Sequence, residues 1–168
     1  KQLGSLRRDQ PARVTDPHIC LIGHVTREEQ RATLSRNDTA NGFANRILWY
    51  CAKRSKLLPN GGRLQEIDLT QLVSRIRSAI EFAQAPGQMH RTDRATELWE
   101  DVYKELTAGR PGVFGKATTR AEAQTLRLSM VYALLDQSDA IDVPHLEAAL
   151  AVWKYCEASA RWTFGVSL

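Results

Sequence analysis

The sequence predicts a mainly α protein, a lid-like helical bundle that carries the small remnant of an α/β domain at its N-terminal end. Two observations predict it. After Gly62 the apolar residues recur at the i, i+3, i+4, i+7 spacing of helices, and a bundle of about five to six helices is expected. Before Gly62 lie the two strand candidates, the apolar runs at 19–22 (ICLI) and 47–52 (ILWYCA), and two strands do not make a stable sheet. The remnant is therefore expected to be the end of a larger α/β domain, and the chain divides into a leader or linker (1–17), a core edge (18–62) and a helical module (63–168).

Residues 1–17 hold Gly4, Pro11 and Pro17 with no apolar period, so they read as a leader without regular structure. The run that follows suits a strand buried on both faces of a parallel sheet, spanning 18–25. Thr26 and Glu29 then form a T-x-x-E capping box, so a helix starts straight off that strand. Residues 31–39 lead into the Asn41-Gly42 turn signal, Phe43 anchors it, and 47–52 gives the second strand candidate. Pro59-Asn60-Gly61-Gly62 is a strong turn.

Four helices are legible beyond it. Leu69, Leu72, Val73, Ile76, Ile80 and Ala83 mark the first, ended by Pro86-Gly87. Ala95, Leu98, Trp99, Val102 and Leu106 mark the second, capped by Thr92 or Asp93 and ended by the stretch from Gly109 to Gly112. Thr119 and Glu122 read as a second capping box, opening a helix apolar almost all round and so central to the module. Asp142 and Pro144 start the last, whose aromatic residues Trp153, Tyr155, Trp162 and Phe164 read as core.

Composition excludes several classes of function. At 43% hydrophobic and 25% charged residues the chain is neither fibrous nor wholly disordered. No apolar run approaches the length of a membrane span and the N-terminus lacks a signal-peptide centre, so a cytoplasmic protein with no membrane partner is expected. Cys20, Cys51 and Cys156 are spaced neither for zinc nor for a redox pair, and are expected as buried free thiols; the four histidines are scattered, so no metal site follows. Net charge is +4, but residues 1–63 hold 12 Lys or Arg against 5 Asp or Glu, whereas 64–168 hold 11 against 14. A basic N-terminal third suits nucleic acid or nucleotide phosphates, and equally a solvated face.

The candidate site residues follow from position. His24 and Thr26 lie at the carboxyl end of the first strand candidate, the edge where open α/β sheets place ligands; the plainer alternatives are a strand-end histidine and a helix cap. Arg46 precedes an apolar run that can fix its backbone while the guanidinium points outward, as a phosphate-sensing arginine requires, or it forms a surface ion pair. Lys53, Arg54 and Lys56 form a small basic cluster suited to nucleic acid. Arg120 and Arg127, seven residues apart on nearly one helical face, reach a phosphate or a carboxylate, or snorkel.

The segments HICLIGHVTREEQRATLS, NGFANRILWYCAKRSKLLPNGG and the stretch from TTRAEAQ to RWTFG resemble the C-terminal part of a poorly characterised ATPase family, a domain of unknown function in phage, plasmid and genomic-island replication proteins, where it often follows a primase-polymerase domain. The likeness covers about residues 15–165 and rests on G-H-[IV]-T-x-E-E and N-G-F-x-N-R-[IF]-L-W. It implies that the α/β remnant is RecA-like or AAA+-like, and that the whole is a DNA primase-helicase ATPase acting in DNA replication as a homo-oligomeric ring. It further implies that His24 and Thr26 are sensors, that Arg46 is an arginine finger, and that Asn45, Arg120 and Arg127 contact nucleotide.

The chain departs from such a protein in having no G-x-x-x-x-G-K-[ST] and no apolar run ending in paired acidic residues to hold Mg²⁺. ATP and Mg²⁺ are thus expected only in the full protein, together with an upstream ATPase core and a primase domain, and this chain alone is expected to bind neither productively and to be inactive. Two other readings stand beside this one: a non-catalytic helical DNA-binding or protein-interaction module, and a structural lid with no ligand of its own.

Overall fold

A computed structural model describes residues 2–4, 13–16, 18–34, 42–85 and 87–165. The chain is mainly helical and separates into two compact units, Lys1–Thr33 and Leu34–Leu168.

In the first unit, β1 (Gln2–Gly4) and β2 (Arg13–Thr15) form a short antiparallel ladder with Leu3 opposite Val14, within a stretch read from its sequence as lacking regular structure. Three residues a side are too few to reveal an alternation. The strand expected at 18–25 does not form: the residues carry no ladder, and Ile19, Leu21 and Ile22 are all exposed, Ile22 at 92%. A doubly buried strand needs neighbours on both sides, and no described strand lies beside it. The helix after it does form, as α1 (Arg27–Thr33), with the Thr26 hydroxyl accepting from the Glu29 N–H at 3.2 Å.

The second unit is a helical bundle. A 3₁₀ turn at Ala44–Arg46 leads into the run expected as a second strand, which is instead an irregular strap along the last helix. Its polar groups find helix side chains rather than a neighbouring strand, and its apolar side chains enter two small cores, Trp49 with Ala44, Ala117, Ala160 and Phe164, and Leu48 with Ala121, Trp153 and Cys156. The turn expected at 59–62 is present, closed by the Gly61 N–H on the Leu58 carbonyl at 3.1 Å. Residues 35–41, which include the Asn of the Asn-Gly signal, lie outside the described residues.

The helices follow as α2 (Thr70–Ala83), α3 (Asp93–Thr107), α4 (Gly112–Thr118), α5 (Ala121–Leu135) and α6 (Val143–Phe164). The central place expected for α5 is observed: it packs against α2, α3 and α6, which explains why its apolar residues encircle it. α4 was not foreseen, because the Gly and Pro residues before it resemble a loop. Its presence undoes the second capping box: Thr119 closes α4, its hydroxyl donating to the Lys116 carbonyl at 2.6 Å, and α5 is preceded by Arg120 with no side-chain cap. Trp153 and Phe164 are buried, whereas Tyr155 and Trp162 are half exposed. Cys156 is buried and Cys51 half-buried, but Cys20 is exposed, against expectation; all three are free.

Two helices begin by the same device. The parallel pair β3 (His90–Arg91) and β4 (Ala140–Ile141) each run directly into a capping residue, Thr92 for α3 and Asp142 for α6. The Thr92 hydroxyl accepts from the Ala95 N–H at 3.2 Å and donates to the Asp142 carboxylate at 2.8 Å. Asp142 also forms a reciprocal box with His145, whose Nδ1 accepts from the Asp142 N–H at 3.0 Å while its Nε2 faces Asp136 at 3.3 Å.

The Thr92 hydroxyl first, and the Val143 N–H second, hold the Asp142 carboxyl below its ordinary value. A carboxyl depressed by folding adds stability that is fully present above its unfolded value and is lost as pH falls through the folded one. Asp142→Ala is thus expected to lower the Tm at neutral pH, with the gap from the parent protein narrowing as pH falls through and below the ordinary carboxylate range. Parallel thermal melts across acid pH check it, and a gap that does not change with pH would refute the linkage.

Candidate functional site

The best-built polar feature of the second unit is the turn that presents Asn45 and Arg46. Ala44 is fully buried among Ala117, Ala160 and Phe164, so the turn is pinned by its first residue. The Trp49 indole N–H donates to the Ala44 carbonyl at 3.0 Å, and the Trp49 ring meets Phe164 edge-on at 5.0 Å between centroids. From the other side, the Gln124 carboxamide of α5 donates to the Arg46 carbonyl at 3.1 Å and lies 3.4 Å from the Asn45 carbonyl. Gln124 is itself buried, at 7% exposure, so this amide is spent on the turn.

The Arg46 side chain is exposed and folds back to donate one N–H to the Gly42 carbonyl. A guanidinium has five N–H donors, so most of them remain for a ligand. Gly42 is favoured here by its φ of +75°, and a Cβ would lie 2.9 Å from the Arg46 guanidinium, the end of a flexible side chain that would have to move aside. The Asn45 side-chain oxygen is buried with no hydrogen bond.

Arg120 immediately precedes α5 with a non-helical backbone and is half-buried, and Gln124 and Arg127 lie within the first two turns of the helix, Gln124 buried and Arg127 exposed. Among the described residues, no ion pair joins Arg46, Arg120 or Arg127 to a carboxylate. Arg110 and Arg161 differ: Glu157 pairs with them at 2.6 and 4.0 Å, and they flank the Phe114 ring at 5.9 and 4.7 Å, a cluster of two cations about one carboxylate that joins α4 to α6.

The remaining candidates are not brought to this place. His24 and Thr26 belong to the first unit; His24 is exposed, and the Thr26 hydroxyl is engaged as the cap of α1, which is the plainer of its two readings. Lys53, Arg54 and Lys56 lie exposed on the segment after the strap. On the strap itself, partial burial of the ring's hydroxyl end and then a hydrogen bond to Cys156 push the Tyr50 hydroxyl above its ordinary value, and burial pushes the Cys156 thiol up, so both stay protonated. No group of three or more His, Cys, Asp or Glu able to hold a metal occurs among the described residues. Nor, among them, is any helix long and apolar enough to cross a membrane.

Sequence reasoning missed Gln124 and the second role of Gly42. The signal for Gln124 was its place between Arg120 and Arg127, four residues after one and three before the other, as a polar residue in an apolar helix. For Gly42 the Asn-Gly dipeptide announced the turn, but only the fold shows the guanidinium that passes over it.

Gly42→Ala is expected to destabilise the protein by about 1 kcal/mol or more from backbone strain alone. Gly61, at φ +80°, has open space where a Cβ would stand. Gly42→Ala should therefore cost more than Gly61→Ala in denaturant unfolding; equal costs would show that the Arg46 contact exerts no constraint. Comparison of the chain with family models, with curated proteins and with solved structures finds no match.

Proposed function

We propose that the chain is the C-terminal segment of a replicative primase-helicase ATPase, supplying the helical lid and the arginines that sense nucleotide phosphates. The observation that carries this reading is the Asn45–Arg46 turn: it is pinned by buried Ala44 and by Gln124, yet its guanidinium is exposed and free of any carboxylate among the described residues. A rigid backbone beneath an uncommitted guanidinium is the arrangement that stabilises charge building on a transferring phosphoryl group.

On this reading an upstream RecA-like or AAA+-like core brings the phosphate cradle and the metal ligands, the ATP bound there supplies the phosphoryl group, and residues 18–62 are the edge of that core. Ile19, Leu21 and Ile22 are exposed, as the side chains of a strand without its sheet would be. His24 and Thr26 remain sensor candidates within that core. The apolar stripe of α2, Leu72, Val73, Ile76 and Ile80, all at least 43% exposed, is likewise consistent with a lid parted from what it covers. Cytoplasmic location and ring assembly belong to the same proposal.

In the complete protein, Arg46→Ala is expected to reduce ATP turnover about 10³-fold or more while leaving nucleotide affinity within a few-fold. Wild-type turnover in that variant would remove the finger assignment. The 168-residue chain alone, lacking any G-x-x-x-x-G-K-[ST], is expected to show no Mg²⁺-dependent hydrolysis. The exposed Lys53, Arg54 and Lys56 favour a second reading, a non-catalytic DNA-binding module. It is distinguished by DNA affinity of this chain that falls steeply with salt and collapses when the three are replaced by Ala.

A further inference from the structure

The aromatic residues of α6 divide by exposure. Trp153 and Phe164 are buried, whereas Tyr155 is 51% and Trp162 54% exposed. On the strap, Trp49 turns inward to Phe164, and its neighbour Tyr50 is 55% exposed. Tyr50 and Tyr155 meet, their ring centroids 5.9 Å apart and their planes 32° from parallel, as an offset pair on the outside of the bundle.

An exposed tyrosine ordinarily lays its ring against the protein and gives its hydroxyl to water. Here both hydroxyls turn inward: Tyr155 donates to the Cys51 carbonyl, and Tyr50 bonds to the Cys156 thiol. Each ring is thereby held at both ends, by its backbone and by its hydroxyl, and what remains in water is aromatic surface. The residues one turn before and after Tyr155 on the exposed face of α6 are Ala151 and Ala158, too small to cover it. Trp162 lies two turns along the same face, past Ala158. An exposed aromatic patch with a polar rim marks an interaction site.

The charge of the rim selects the partner. Between Asp38 and Glu66 the sequence carries no acidic residue, but it carries Arg46, Lys53, Arg54, Lys56 and Arg63. The segment leaves the aromatic pair at Cys51, whose carbonyl Tyr155 holds, so Lys53 and Arg54 follow within at most about 7 and 11 Å of chain. Lys53, Arg54 and Lys56 are exposed, as is Lys154 beside Tyr155 in α6, and none of the four is ion-paired among the described residues. A polyanion that also carries flat rings at regular intervals satisfies both features. In a duplex those rings are stacked on one another and out of reach; in a single strand they are available.

We propose that Tyr50 and Tyr155 form a base-stacking platform for single-stranded nucleic acid, with Lys53, Arg54 and Lys56 on its phosphates. The platform rests on the DNA-binding reading for those three cations and needs no ATP. It adds what charge alone does not supply, a preference for unpaired strands over duplex without readout of sequence, because every base has a face to stack.

Fluorescence anisotropy of the 168-residue chain with labelled oligothymidylate and oligouridylate of about 15 nucleotides, and with a DNA duplex of the same length, tests this. One or both single strands are expected to bind more tightly than the duplex, with an affinity that falls steeply with salt. Tyr50→Leu and Tyr155→Leu, which keep apolar bulk without an aromatic face, are each expected to weaken single-strand binding about tenfold and to change duplex binding less than about twofold. Tyr155→Phe, which keeps the ring, is expected to stay within about threefold of the parent. Photocrosslinking of the parent chain to a 5-iodouracil-substituted oligonucleotide reads the contact without any variant and stands in if a Leu variant does not fold; Tyr50 or Tyr155 is expected in the crosslinked peptide. Absence of binding to every probe would remove the platform together with the DNA-binding reading. Binding that collapses when the three cations are replaced by Ala but keeps its parental strength in both Leu variants would remove the platform alone. Equal losses for single strand and duplex in the Leu variants, or crosslinks confined to other residues, would do the same.

Discussion

An extended segment with no sheet to join must still pair its backbone polar groups, and the second unit is arranged around the way residues 44–51 meet that demand. Helix side chains take the place of a neighbouring strand. Gln124 serves the turn, the Ser159 hydroxyl accepts from the Cys51 N–H at 3.1 Å, and the Tyr155 hydroxyl donates to the Cys51 carbonyl. Each of these comes from α5 or α6, so the strap ties the two helices together along its length. Apolar side chains alternate with these polar anchors, Ala44, Leu48 and Trp49 entering the cores from a segment only a few residues long.

That strap also decides which residues can act together. Because its first turn presents Arg46 and its clamp belongs to α5, placement of the guanidinium and packing of the bundle are one problem. Substitutions deep in the bundle, at Ala117 or Phe164, would reach Arg46 through Ala44 without touching it. Arg110 and Arg161, which share Glu157, pack instead about Phe114, where they join α4 to α6. Cations of the same kind are thus divided between cohesion and availability by the presence or absence of a single carboxylate, Glu157.

The helices were legible because their periods and stops are local. Thr92, Asp142 and Pro144 announced two starts, and the all-round apolarity of 126–135 announced the central helix. The elements that escaped depend on partners far away in the chain. Residues 47–52 have the composition of a strand and lack only the neighbours, and nothing within the run itself reveals their absence. Thr119 has the right spacing for a cap, but the short helix before it had claimed its hydroxyl first. Of the site, the arginines were visible as charges out of place in apolar contexts. The support of the Arg46 turn was invisible, because it passes through a glutamine whose partners lie 78 and 79 residues away.

The twin starts of α3 and α6 carry an electrostatic consequence. Their parallel two-residue bridge sets both N-termini at the same end, where the partial positive charges of two helix macrodipoles would otherwise lie side by side. The Asp142 carboxylate stands at one of these ends and is bonded through Thr92 to the other. The Asp142 carboxylate, kept ionised by the hydrogen bonds it accepts, therefore serves both dipoles, beside Asp93 in the first turn of α3.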